Sequence, residues 1–191
     1  VIKKAADLLV SEFNEAPAKF TDGHEEIEIA LIRLSRFTGA TKYRDLAQQF
    51  LERRGKIPGY PLHFTRQFLS SMGRMNTVTA MRCEYHKTRK ENSSFKLPAH
   101  NKHRIPRNMP LRFAASALSG KYAQQHKPLA LQEEPVGHSV RFSYLNTAAA
   151  MLARDLQVNV DLPRLESLWQ HMVEKRMSVS GGIGSLPLTE G

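Results

Sequence analysis

Two stretches of the chain follow one plan, and that plan limits the fold more than any other feature of the sequence. Each opens on Gly-His, runs into a helix rich in apolar residues, and ends on a helix with a single apolar stripe. Gly23-His24 to Arg54 is the first stretch and Gly137-His138 to Arg176 the second, so they read as two copies of an αα-hairpin. In the second copy Val140, Phe142, Tyr144, Leu145, Ala148, Ala149, Ala150, Met151 and Leu152 fall on nearly every face of a helix whose first turn holds Pro135. In the first, Ile27, Ile29, Ala30, Leu31, Ile32, Leu34 and Phe37 do the same. That helix is expected to start at Thr21-Asp22-Gly23-His24-Glu25, with Asp22 as cap and Glu25 closing a capping box, and to stop at Gly39. The second helix of each pair carries one stripe: Tyr43, Leu46, Ala47, Phe50 and Leu51, then Leu162, Leu165, Leu168, Trp169, Met172 and Val173.

Helices covered on most sides that alternate with helices wet on one side predict an all-α ring of hairpins, an inner barrel inside an outer one. An up-down bundle would leave one face of every helix in water. Val1 to Phe13 adds a leading amphipathic helix with Val1, Ile2, Ala5, Leu8, Leu9 and Phe13 as its stripe. Two hairpins and one leading helix cannot close a ring of six, so the expected architecture is an incomplete (α/α)6 toroid, with residues 1–191 part of one domain.

The formal charge of +10 points towards nucleic acid or an anionic membrane only if it is spread over a surface. It is not. Between Pro61 and Gly120 there are 11 Lys and Arg against 2 acids, and the rest of the chain is nearly balanced. With its prolines and few apolar residues, 61–120 reads as a basic, poorly ordered insertion. It lacks the aromatic interleaving of a nucleic-acid binder, so no nucleic-acid partner is expected. No apolar run is long enough for a membrane span. The start at Val1 opens directly into amphipathic sequence, so no signal peptide is read there and sequence upstream is expected. A single cysteine, Cys83, excludes an intrachain disulfide and fits a reducing, cytoplasmic setting.

Several residues can carry chemistry. His24 and His138 stand at the mouths of the two buried helices, where two imidazoles around one cavity can grip the hydroxyls of a sugar. The plainer alternative is that each ring caps its helix or meets a backbone carbonyl. Glu190 follows the glycine-rich Ser180-Gly-Gly-Ile-Gly-Ser185, a loop able to approach a ligand; a carboxyl enclosed there can serve as a general acid, and otherwise it is a solvated glutamate. Gly181 to Gly184 lacks the strand and lysine of a phosphate loop. Cys83-x-x-His86 with His100-x-x-His103 has the donors of a zinc site, but the surrounding cations oppose a divalent ion, so no metal is expected in this chain.

Four motifs in order, Gly23-His-Glu-Glu-Ile-Glu-Ile-Ala-Leu-Ile-Arg-Leu, Tyr122-Ala-Gln-Gln-His-Lys-Pro, Gln132-x-x-x-Val-Gly-His-Ser-Val-Arg141 and Ser180-Gly-Gly-Ile-Gly-Ser185 with Glu190-Gly191, resemble glycoside hydrolase family 127, the β-L-arabinofuranosidase-like proteins. The resemblance covers roughly Val1 to Tyr60 and Lys121 to Gly191. It implies an (α/α)6 catalytic barrel that releases L-arabinofuranose or related sugars with retention of configuration. His24 and His138 match histidines that line the sugar site, and Glu190 matches the general acid/base. The resemblance also implies a cysteine nucleophile held on zinc, from sequence beyond the Glu190 loop. Cys83 lies in the unmatched segment and cannot take that role. The expectation is therefore a piece of a retaining glycosidase, inactive alone, with a carbohydrate as partner; the alternative is a non-catalytic helical carbohydrate-binding module.

Overall fold

The computed structural model describes residues 1–17, 20–21, 23–71, 109–156 and 162–183, and among these the regular structure is entirely helical. The helices are α1 (Ile2–Phe13), α2 (Glu26–Thr38), α3 (Thr41–Arg53), α4 (60–71), α5 (Met109–Leu118), α6 (Ser139–Leu156) and α7 (Leu162–Lys175), with a short 3-10 turn at Leu129–Leu131. None of the described helices is long and apolar enough to cross a membrane.

The stripe on α3 forms as its spacing predicts. Tyr43, Leu46, Ala47 and Phe50 are fully buried, and Leu51 nearly so. Each large side chain in that row contributes roughly 1.5–3 kcal/mol through its removal from water. The row makes α3 the centre of the molecule: α2, α1 and α6 all pack on it, and Leu31, Ile32, Leu145, Ala148, Ala149 and Leu152 complete the main core. The α2–α3 turn is as expected, with Gly39 in the left-handed region and its N–H donating to the Ser35 carbonyl at 2.8 Å.

Elsewhere the structure corrects the sequence reading. The inward face of α1 is Ala6, Leu9, Val10 and Phe13, whereas Val1, Ile2 and Leu8 are exposed. The i, i+3, i+4, i+7 row that wins is the one whose end, Phe13, meets Phe50 edge to face at 5.4 Å. Tyr43 and Lys42 of α3 fix the rotation from the other side, both reaching Asp7, at 2.7 and 2.6 Å. Their hydrogen bonds hold the Asp7 carboxyl below the usual aspartate range. The helices α2 and α6 are less enclosed than their composition predicts, since Ala30, Phe37, Val140 and Ala150 face outward. The α7 stripe divides too. Leu168 and Met172 join Phe142 in a second, smaller core, while Leu162, Trp169 and Val173 line an open groove against α6.

Of the basic segment 61–120, both ends are helical rather than poorly ordered. Tyr60, Phe64 and Phe68 stack in sequence along α4 at four-residue spacing, and Phe113 of α5 meets Tyr122 at 5.1 Å, so aromatic pairs support both helices. Residues 72–108 lie outside the described residues.

Buried Leu46 and exposed Leu8 are expected to respond oppositely to truncation. Leu46→Ala is expected to cost about 2–5 kcal/mol in urea denaturation, whereas Leu8→Ala is expected to change stability by less than about 0.5 kcal/mol.

Candidate functional site

The helix starts at the polar end of the hairpins differ from the capping scheme expected of them. Helix α2 begins at Glu26, and Glu25 occupies the cap position without a side-chain capping bond. Its carboxylate turns inward instead. Glu25 and Glu28, three residues apart and hence on one face of the helix start, are both fully buried. Between them lies Arg54, the cap residue just past the end of α3, also buried: its Nη1 donates to Glu25 Oε1 at 3.2 Å and its Nη2 to Glu28 Oε1 at 3.0 Å. Such a charge survives out of water only when paired in this way, because unpaired desolvation would cost several kcal/mol.

A second arginine extends the cluster to the next hairpin. Arg141, in the first turn of α6, places Nη1 3.5 Å from the other oxygen of Glu25. The centre of its guanidinium lies 5.6 Å from the centroid of the Tyr122 ring. Tyr122 in turn meets the His138 ring edge to face at 5.2 Å. On the other side, the ring of His24 meets Tyr144 of α6 at 5.5 Å. The two candidate histidines border this cluster differently: His138 meets it through the Tyr122 ring, whereas the exposed His24 adjoins it through its chain neighbour Glu25. Tyr60 completes it: burial raises its phenol above the ordinary tyrosine range, and the nearby Arg141 and Arg54 charges partly oppose that rise.

The segment before α6 explains how His138 arrives there. Pro135 lies outside the helix, which begins at Ser139 and leaves His138 just before it. Gly137 has a φ of +79°, and a Cβ there would come within 2.0 Å of the Lys121 carbonyl oxygen. Only glycine lets the two backbones approach so closely. The approach brings the His138 N–H to the Tyr122 carbonyl at 3.5 Å and sets one ring against the other. Gly23 has no such constraint: open space surrounds it, and its φ is not positive. The two Gly-His corners thus resemble one another in sequence but differ in physical cause.

Three buried glutamines hold the intervening loop. Gln124 Nε2 donates to the Val136 carbonyl at 2.7 Å, and Gln132 Nε2 to the carbonyls of Gln124 and Lys127 at 3.2 and 2.9 Å. Gln125 spans further, accepting from the Gly55 N–H at 2.8 Å and donating to Thr21 at 3.2 Å. The end of α3, the approach to α2 and the start of α6 are thereby tied together. Within this loop burial, then Lys121 and Lys127, hold His126 below the ordinary histidine range.

Glu190, Asp22, Cys83, His86, His100 and His103 lie outside the described residues. Among the described residues no group of three or more His, Cys, Asp or Glu side chains could hold a metal ion. Glu25 and Glu28, the two buried carboxylates at the mouth, are each engaged by arginine and do not fit a zinc site. Sequence reasoning overlooked Glu25, Glu28, Arg54, Arg141 and Tyr60 as a set. The available signal was Glu28 within an otherwise apolar row with Leu31 and Ile32, and Arg141 three residues beyond His138.

Helical hairpins that present a polar cluster at one end and apolar rows along their length suit part of a helical toroid, and comparison with known proteins agrees. Residues 1–188 match the family described as beta-L-arabinofuranosidase, GH127 catalytic domain, across the basic segment as well as its flanks. The chain belongs to that family. It is 29% identical over 192 residues to the non-reducing end beta-L-arabinofuranosidase of Bifidobacterium longum subsp. longum, covering all of this chain and 23% of that protein. The crystal structure of a GH127 beta-L-arabinofuranosidase from Geobacillus stearothermophilus T6 superposes with a TM-score of 0.63 at 27% identity over 98% of this chain and 24% of that one. A second GH127 beta-arabinofuranosidase superposes with a TM-score of 0.61 at 25% identity, covering 98% of this chain and 21% of the other. The chain thus spans about a quarter of the length of these relatives, and its fold is part of their (α/α)6 toroid.

Removing the central cation should be costly. Arg54→Met is expected to destabilise the protein by about 3–5 kcal/mol, against less than about 1 kcal/mol for Arg44→Met at the half-buried, water-accessible Arg44–Asp45 pair. Urea denaturation followed by circular dichroism checks both.

Proposed function

We propose that this chain forms the part of a β-L-arabinofuranosidase-type sugar pocket that carries its binding histidines, within a retaining glycoside hydrolase. The observation that carries the reading is that His24 and His138, from separate hairpins, border a single buried charge cluster. The family of the chain and the names of its relatives supply the sugar class. In this reading the imidazoles donate to and accept from the hydroxyls of an L-arabinofuranosyl unit, and the Tyr122 and Tyr144 rings keep those imidazoles in place. Glu190 is the general acid: it gives its proton to the leaving oxygen as the bond from the anomeric carbon breaks.

Retention needs a second group on the opposite face of the sugar, about 5–5.5 Å from the acid. Glu25 and Glu28 cannot serve, because both are buried and held by arginines. A zinc-held cysteine, as the resemblance implies, would come from sequence other than these 191 residues. The chain alone therefore binds the sugar without turning it over.

Calorimetric titration with L-arabinose and an assay with p-nitrophenyl β-L-arabinofuranoside test both halves. Binding is expected, weakened at least tenfold in His24→Ala and in His138→Ala, with no release of p-nitrophenol. Unchanged binding in both variants would overturn the pocket, and release that is lost in Glu190→Gln would overturn the claim of inactivity.

A further inference from the structure

Arg141 is the cation of the cluster that reaches the surface. Its side chain is 19% exposed, whereas those of Arg54, Glu25 and Glu28 are closed off. Among the described residues its polar contact is the 3.5 Å approach to Glu25; the Tyr122 ring fixes the guanidinium without taking a donor. A guanidinium carries five N–H donors in a rigid planar fork, so most remain available.

Its position is also central. His138, Arg141 and Tyr144 succeed one another at three-residue spacing along the start of α6, and Tyr144 meets His24. Arg141 therefore lies about one helical turn from His138 on one side and, on the other, from Tyr144, the ring that His24 meets. Charge sets what it can attract. Two carboxylates, Glu25 and Glu28, face two guanidinium groups, Arg54 and Arg141, so the cluster carries no net charge. A fork of donors without surplus positive charge suits the oxygens of a neutral polyol. It gives a carboxylate little Coulombic gain over water, because Glu25 already lies against the same cation.

We propose that Arg141 is a sugar-binding and specificity-determining residue: it donates to adjacent hydroxyls of a sugar held between His24 and His138, and its neutralisation by Glu25 makes the site take neutral sugars in preference to uronic acids. This rests on the sugar-pocket reading above and extends it to a residue and a selectivity.

Calorimetric titrations of the wild-type chain with L-arabinose and with D-galacturonate, at low ionic strength and neutral pH, read the selectivity. L-Arabinose is expected to bind at least tenfold more tightly, and Arg141→Met to weaken its binding at least tenfold. Arg141→Lys, which keeps the charge but loses the planar fork, is expected to fall between. Equal or tighter binding of D-galacturonate would overturn the selectivity. Unchanged L-arabinose binding in Arg141→Met, while His138→Ala loses it, would overturn the role of Arg141 and leave the pocket standing. Failure of the wild-type chain to bind L-arabinose at all would remove the pocket itself. Should the substitutions unfold the chain, the arginine Nε–H resonances of the wild-type protein decide the matter. The Arg141 signal is expected to move as L-arabinose is added, and a stationary signal would contradict the proposal.

Discussion

The pairing of Arg54 with Glu25 and Glu28 is the constraint on which the polar end of this structure depends. All three groups are out of water, so none can leave its partners without exposing a neighbour to an unpaired buried charge. Because the acids come from the start of α2 and the arginine from the end of α3, the pairing sets how far one helix slides along the other. An apolar row alone tolerates such sliding better, since one leucine can replace another in contact with the core. The cluster therefore contributes register more than stability. Arg141 carries that register across to α6, and the buried glutamines carry it through the loop between Gly120 and His138.

Much of the fold was legible because it rests on local pattern. The α3 stripe at Tyr43, Leu46, Ala47, Phe50 and Leu51 and the stop at Gly39 need only helical spacing and a left-handed C-terminus, and both appear as read. What pattern could not give is which of two overlapping rows on one helix wins. In α1 the choice fell to Ala6, Leu9, Val10 and Phe13, since partners on α3 select the face. The capping box failed for a related reason. Glu25 had a local use at the helix start and a tertiary use against Arg54, and the buried pairing prevailed.

The same distinction applies to the site. The two Gly-His corners were visible in the sequence, and both histidines border the cluster, but the likeness hid a difference: Gly137 is required by the approach of the Lys121 carbonyl, and Gly23 is not. Arg54 was invisible as a site residue, because a basic residue in the last turn of a helix ordinarily serves the dipole and faces water. Its neighbour Arg53 behaves more nearly that way, closing over the carbonyls of Phe13 and Asn14 at the end of α1. Two adjacent arginines of identical chemistry are thus separated by one helical step into a clamp at the surface and a buried counter-ion.

Two hairpins joined through one charge cluster make a claim about a shared hollow, and the imidazole resonances of the chain test it most directly. On titration with L-arabinose, the side-chain nitrogen signals of His24 and His138 are expected to move together along one saturation curve, while that of His171, on the last helix, α7, stays fixed. Movement of only one of the pair, or two curves with different midpoints, would mean that the histidines do not share a ligand and would contradict the account.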